Sequence, residues 1–178
     1  SASVAFSGSG PHPTRQKKPY THAAVLSSDA KFAYVCDLGT DHVRVFRFDA
    51  ATGAMEAGEP GTVPPGHGQR HLVFSPKQDF LYVNNEMGLS VSVFERDPQT
   101  GALRHLQSVP TLPENTPAEG VTTSGIGIHP GGRWLYVSNR GHNSLSIFEV
   151  LDGGRIRLAG NTPAGVDTPR EFPIDTGG

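Results

Sequence analysis

The 178-residue sequence predicts an all-β fold, a β-propeller of four-stranded antiparallel blades with about three blades and partial ends present. Three observations predict it. A block of sequence recurs at a nearly constant spacing. Within each copy, apolar and polar residues alternate with the period of a strand, and helical periodicity is absent. Gly (22) and Pro (15) make up about a fifth of the chain while charged residues are only 18%, a composition of many tight corners that stays below the level signalling disorder.

The repeat is read first, because a period of this size decides the architecture. Phe32-Ala33-Tyr34-Val35 recurs as Phe80-Leu81-Tyr82-Val83, an offset of 48 residues. The same offset carries Val43-Arg44-Val45-Phe46 onto Val91-Ser92-Val93-Phe94, and Thr52-Gly53-Ala54-Met55 onto Thr100-Gly101-Ala102-Leu103. A third copy follows with Trp134-Leu135-Tyr136-Val137 and Leu145-Ser146-Ile147-Phe148. Trp134, at the Phe32 and Phe80 position, is expected in the core.

In the middle copy, residues 70–75 form a short apolar run ended by Pro76-Lys77, the first strand. Residues 79–85 are rich in aromatic and apolar side chains and form the second. Residues 90–95 form the third, in which Val91 and Val93 alternate with Ser90 and Ser92. The turn Asp97-Pro98-Gln99-Thr100-Gly101 leads to a fourth over residues 102–109. The chain is thus expected to hold one partial domain, residues 1–178: the end of a preceding blade and its connection (1–21), blades over 22–69, 70–123 and 124–167, and the first strand of a further blade (168–178). A propeller closes with about 4 to 8 blades, so exposed blade edges predict self-association.

Bulk properties exclude several classes. Fifteen Lys+Arg against 17 Asp+Glu, a net charge of −2, argue against binding to nucleic acid or an anionic membrane. No run approaches the roughly 18 apolar residues of a membrane-spanning helix. The start, Ser1-Ala2-Ser3, has no resemblance to a signal peptide, and the lone Cys36 cannot form an internal disulfide, so a cytoplasmic protein is expected. Cys36 sits in an apolar run and reads as a buried, inert thiol. Eight histidines show no paired ligand spacing, so no metal site is expected. His105, His129 and His142 read as turn or edge residues, and Asp37 and Asp41 as caps of the strand-two turn.

Repeat positions stay alike for packing, so divergence at equivalent positions marks candidate function. One position, at the start of strand one, holds His22, Arg70, Ser124 and Arg170. A second, at the end of strand two, holds Leu38, Glu86 and Arg140. Antiparallel neighbours place the start of one strand beside the end of the next, so His22, Arg70, Glu86, Arg140 and Arg170 should converge at one rim. Arginines match carboxylate or phosphate, and His22 or Glu86 can exchange a proton. His71, beside Arg70, is expected by alternation to point away from the rim, yet its neighbourhood keeps it, with Arg170, among the substrate-binding candidates.

Pro19-Tyr20-Thr21-His22, Asp37-Leu38-Gly39-Thr40-Asp41, Gly68-Gln69-Arg70-His71-Leu72, Asn85-Glu86 and Tyr136-Val137-Ser138-Asn139-Arg140-Gly141 resemble the seven-bladed propeller lactonases, a family of 6-phosphogluconolactonases and carboxy-cis,cis-muconate cyclases. The likeness runs from about Gly10 to Phe172 and covers the middle of a family member. It implies catalytic roles for His22, Arg70, Glu86 and Arg140, a channel role for Arg170, and cofactor-independent hydrolysis of a small anionic lactone. The alternatives it leaves open are a lactonizing cyclase and a non-catalytic binding propeller. One departure is Ser124-Gly125, where family members often carry an acidic residue. On this reading Arg70 and Arg140 hold the substrate anion, Glu86 or His22 deprotonates water, and Arg70→Ala is expected to stop turnover with folding nearly intact.

Overall fold

The computed structural model describes residues 3–175, as three antiparallel sheets. The first contains β1 (Thr21–Leu26), β2 (Phe32–Asp37), β3 (His42–Phe48) and β4 (Met55–Ala57), with β5 (Gly61–Thr62) pairing the other end of β3. The second runs β6 (Gln69–Phe74), β7 (Phe80–Asn85), β8 (Ser90–Arg96) and β9 (Leu103–Pro110). The third runs β10 (Thr122–Ile128), β11 (Trp134–Arg140), β12 (Ser144–Val150) and β13 (Ile156–Pro163). Each sheet is an up-and-down meander in chain order, and the first strands lie together, β1 against β6 and β6 against β10. This is the blade arrangement of a propeller.

The repeat anchors have structural causes. In the strand 3–4 turn of the first two blades an Asp side chain accepts backbone N–H groups two and three residues on, from Ala51 and Thr52 at Asp49 and from Gln99 and Thr100 at Asp97. This Asx turn hands over to a glycine with positive φ, Gly53 or Gly101. In the first blade Gly58-Glu59-Pro60 interrupts the fourth strand and divides it into β4 and β5, because Pro60 has no N–H for the ladder.

Alternation then sends neighbouring side chains into different cores. Phe32, Tyr34, Cys36, Val43 and Val45 of the first sheet pack on Leu72, Leu81, Val83 and Phe94 of the second. On the opposite face of the second sheet Tyr82, Val91 and Val93 meet Leu135, Val137, Phe148 and Ile156 of the third. Burying each such side chain contributes about 1.5–3 kcal/mol. Cys36 is fully covered, and burial raises its thiol pKa. Arg96 ties the first two blades: its Nε donates to Tyr34 Oη at 2.9 Å, and its guanidinium lies 5.7–5.9 Å from the centroids of Phe32, Phe74 and Tyr34.

A buried polar residue closes strand two in every blade. Asn85 Nδ2 donates to Ser90 and Ser92, and Asn139 Nδ2 to Ser144 and Ser146. In the first blade Asp37 takes this position and binds Arg44 while accepting the N–H groups of Tyr20 and Gly39. Asp41 accepts the N–H groups of Gly66 and Gly68. Both aspartates therefore organise the turn at the rim.

Two expectations are corrected. Trp134 is only half-buried, with Arg133 over its ring at 5.2 Å: Phe32 and Phe80 lie against Gly101 and Gly154 of the following blade, and among the described residues no blade follows the third. Within 168–178, residues 168–175 form no strand, and 176–178 lie outside the described residues. Among the described residues no second strand runs beside this segment to complete a ladder. It nevertheless packs on β10: a Cβ on Gly125 would fall 3.0 Å from Arg170 O, and one on Gly127 2.7 Å from Ile174 Cδ1.

Candidate functional site

A β-bulge recurs at the start of the first strand in all three blades. β1 has one extra residue between Thr21 and Ala23, β6 one between Gln69 and His71, and β10 one between Thr123 and Ile126. The inserted residues are His22 and Arg70 in the first two blades, and the third bulge spans Ser124-Gly125. A bulge bends the strand and re-aims a side chain. It also breaks the alternation on which the outward orientation of His71 was expected. His71 instead meets His22 edge-on, ring centroids 5.0 Å apart, and its Nδ1 lies 3.4 Å from Glu171 Oε1.

Glu86 is the centre of the cluster. It follows β7, held by backbone bonds from its own N–H to Gly68 O at 2.7 Å and from Thr123 N–H to its carbonyl at 3.1 Å. Gly68 reaches this geometry with φ +64°, and a Cβ there would sit 2.5 Å from Met87 Cε. The Glu86 side chain is 2% exposed and both of its oxygens are occupied. Oε1 accepts from Arg15 Nη2 at 2.6 Å, whereas Oε2 lies 2.9 Å from Arg70 Nε and 3.2 Å from Arg140 Nη2. The Arg70 Nε–H does not aim at the oxygen, so that contact is an ion pair rather than a linear hydrogen bond.

Arg70 is 1% exposed. Its Nη1 donates to Ser124 O at 2.8 Å, stands 3.5 Å from Glu171 Oε1 and touches the His71 ring. Burial lowers its pKa. The expectation that Arg70→Ala spares folding is therefore corrected: this guanidinium is built into the interior between two blades. Arg140 is less covered, at 20%. Arg170 is exposed and close enough to Arg70, His22 and His71 to act on them electrostatically.

The structure thus brings together His22, Arg70, His71, Glu86, Arg140 and Arg170, and adds Arg15 and Glu171. Arg15 had one signal in the sequence, the basic run Arg15-Gln16-Lys17-Lys18 between prolines, but no repeat counterpart. Glu171 sits beside Arg170 in a segment read as an ordinary strand.

Both histidines are held neutral. Burial, then the charge of Arg70, lowers His22, and the same two causes bring His71 down to about 4. Several buried polar atoms here have no hydrogen-bond partner among the described residues: His22 Nδ1, Arg70 Nε, Arg140 Nε and Ser124 Oγ. Unpartnered buried groups are rare enough to require a reason, and a binding or catalytic role is one. Among the described residues no group of three or more His, Cys, Asp or Glu is placed to hold a metal ion, and no helix is long and apolar enough to cross a membrane.

A stability prediction follows from His71. Its folded pKa lies below the ordinary 6.5, so the unfolded chain takes up the proton more readily. The contribution of neutral His71 is complete above pH 6.5 and is lost as pH falls toward 4. Urea titrations across that window should show a shallower loss for His71→Gln than for the wild type; parallel curves would contradict the burial.

Three consecutive four-stranded meanders whose first strands lie together, with an arginine–carboxylate cluster and two histidines at one rim, define the class: a β-propeller fold with a charged polar cluster at the rim of its first strands. The model of the family described as "Lactonase, 7-bladed beta-propeller" matches residues 1–178, and the chain belongs to that family. It is 32% identical over 173 residues to a 6-phosphogluconolactonase of Bacillus subtilis, covering 97% of this chain and 48% of that protein. A Lactobacillus plantarum crystal structure superposes with a TM-score of 0.91 at 34% identity, over 98% of this chain and 50% of that one. The periplasmic gluconolactonase of Pseudomonas aeruginosa gives 0.88 at 31%, over 97% and 49%. The chain spans about half the length of the curated relatives it matches.

Proposed function

We propose that this chain carries the hydrolytic site of a lactonase acting on 6-phosphogluconolactone or a related anionic sugar lactone. The observation that carries the reading is the ion cluster of Arg15, Arg70 and Arg140 on Glu86, with neutral His22 beside it. The names of the Bacillus and Pseudomonas relatives supply the class of ester.

Both Glu86 oxygens are engaged by guanidinium groups, so the carboxylate is poorly placed to receive a proton from water. It acts as the anchor that orients the arginines. His22 is the better base: its pKa is lowered by burial and by Arg70, its side chain is only half-buried, and no ion pair occupies it among the described residues. It takes a proton as water attacks the lactone carbonyl, and the imidazolium returns that proton to the ring oxygen as the acyl–oxygen bond breaks. Arg140, the more accessible of the two arginines on Oε2, stabilises the charge that builds on the carbonyl oxygen. Arg70 sets the field and the position of Glu86 and His71 without reaching the substrate.

The test is proton release from 6-phosphogluconolactone and from glucono-1,5-lactone, measured above the spontaneous rate. Saturable acceleration of at least one is expected. Neither being accelerated by correctly folded protein would sink the lactonase reading and favour a binding propeller.

A further inference from the structure

We propose that Arg15, on the loop preceding β1, is the group that selects a phosphorylated or otherwise doubly charged substrate, by turning its open guanidinium edge to the ligand's anion. The inference rests on the lactonase reading and deepens it by naming a specificity residue that neither the repeat nor the family motifs indicate.

The loop is built to hold this side chain at the mouth. Gln16 is fully buried; its Nε2 donates to Leu38 O at 2.8 Å and its Oε1 accepts from His12 N at 3.0 Å. Its backbone carbonyl accepts from Gly10 N at 2.9 Å. On the outgoing side Gly39 leaves no room for displacement, since a Cβ there would lie 2.0 Å from Lys18 O. With Gln16 pinned inward, Arg15 faces outward and remains 45% exposed while its tip reaches Glu86.

The other two arginines on Glu86 have separate tasks, Arg140 at the reacting carbonyl and Arg70 in positioning. Arg70 is sealed in and spent on Glu86 and Ser124 O. Arg140 divides one nitrogen between Glu86 and Thr123 O. Arg15 uses only Nη2 on Glu86, and its Nε and Nη1 have no hydrogen-bond partner among the described residues. Arg15 supplies one of three guanidinium contacts to Glu86, from a half-exposed side chain and through a single hydrogen bond, so Glu86 keeps Arg70 and Arg140 if Arg15 turns to a ligand. A phosphate dianion accepting two parallel N–H bonds offers more, so exchange or sharing toward the ligand is favourable. The charge balance agrees. Arg15, Arg70, Arg140 and Arg170 are set against Glu86 and Glu171, leaving an excess of positive charge beside neutral histidines.

The experiment compares wild type, Arg15→Gln and Arg15→Lys in the protein as its gene encodes it. One readout is the ratio of kcat/KM for 6-phosphogluconolactone to that for glucono-1,5-lactone. The other is the affinity for inorganic phosphate by calorimetry. Arg15→Gln is expected to lower the ratio roughly 10- to 100-fold, the loss of a charge-assisted pair of bonds, and to weaken phosphate binding by a similar factor. Arg15→Lys, the milder change, should lower both by less, which decides the matter even if the glutamine variant misfolds. An equal loss on both lactones, or unchanged phosphate binding, would overturn the assignment. If the wild type turns over neither lactone, the lactonase reading fails on its own, and the phosphate titration still decides Arg15.

Discussion

Replacing Arg70 with alanine is expected to remove about 3–5 kcal/mol of folding stability as well as all measurable turnover. The cause is the desolvated carboxylate it leaves behind. Glu86 is 2% exposed and would keep only Arg15, which stands in solvent, and Arg140, which is partly so. The carbonyl of Ser124 would lose its donor, and a cavity would open where one of the largest buried side chains of the chain had been. Denaturant unfolding followed by tryptophan fluorescence measures the stability, and proton release the activity. Because the alanine variant is at risk of not folding, Arg70→Lys is the companion. It keeps the charge but cannot reach Glu86 and Ser124 together, and it should fold with turnover reduced at least tenfold. A lysine variant with wild-type activity would contradict the positioning role of the planar fork.

His22→Gln should behave in the opposite way, losing roughly 10²–10⁴-fold in kcat/KM while folding as the wild type does. The ring is half-buried, it packs edge-on against His71, and its Nδ1 forms no protein bond among the described residues, so little packing depends on it. The pH profile carries a sign. Burial and Arg70 hold the His22 pKa below 6.5, so the basic form dominates at neutral pH. Activity should therefore stay level down to about pH 6.5 and fall only below it. A limb falling already between pH 8 and 7, or a glutamine variant with full activity, would remove His22 from the role of base.

The blade count and the core were legible because both depend on local periodicity. Phe32, Tyr34, Val43 and Phe94 announce their inward positions through alternation and recurrence, and the cores between sheets follow. Divergence at repeat-equivalent positions also picked out side chains that meet in the structure: Arg70 stands where other copies have His22, Ser124 and Arg170, and Glu86 and Arg140 share a slot with Leu38. Three features stayed hidden for physical reasons. The bulge that inserts Arg70 adds one residue without changing composition, so alternation wrongly turned His71 outward. Arg15 meets Glu86 across 71 residues of chain, and its loop occurs once, with no second copy to compare. The burial of Arg70 depends on the next blade laying Ser124 over it, an arrangement that no residue near Arg70 encodes. The terminal segment around Phe172 failed differently: it has a strand's sequence, but among the described residues it has no ladder partner, and a strand is defined by its neighbour.

A lactone held and opened at the Glu86-centred cluster, as proposed, leaves its product at the rim formed by the starts of the first strands. The most direct measurement is a crystal structure of the protein with 6-phosphogluconate, the product of the proposed hydrolysis. The predicted result puts the phosphate against Arg15, with Arg140 and Arg170 nearby, and the carboxylate within hydrogen-bonding distance of His22. Product bound at the opposite rim, or between blades away from Glu86, would contradict it.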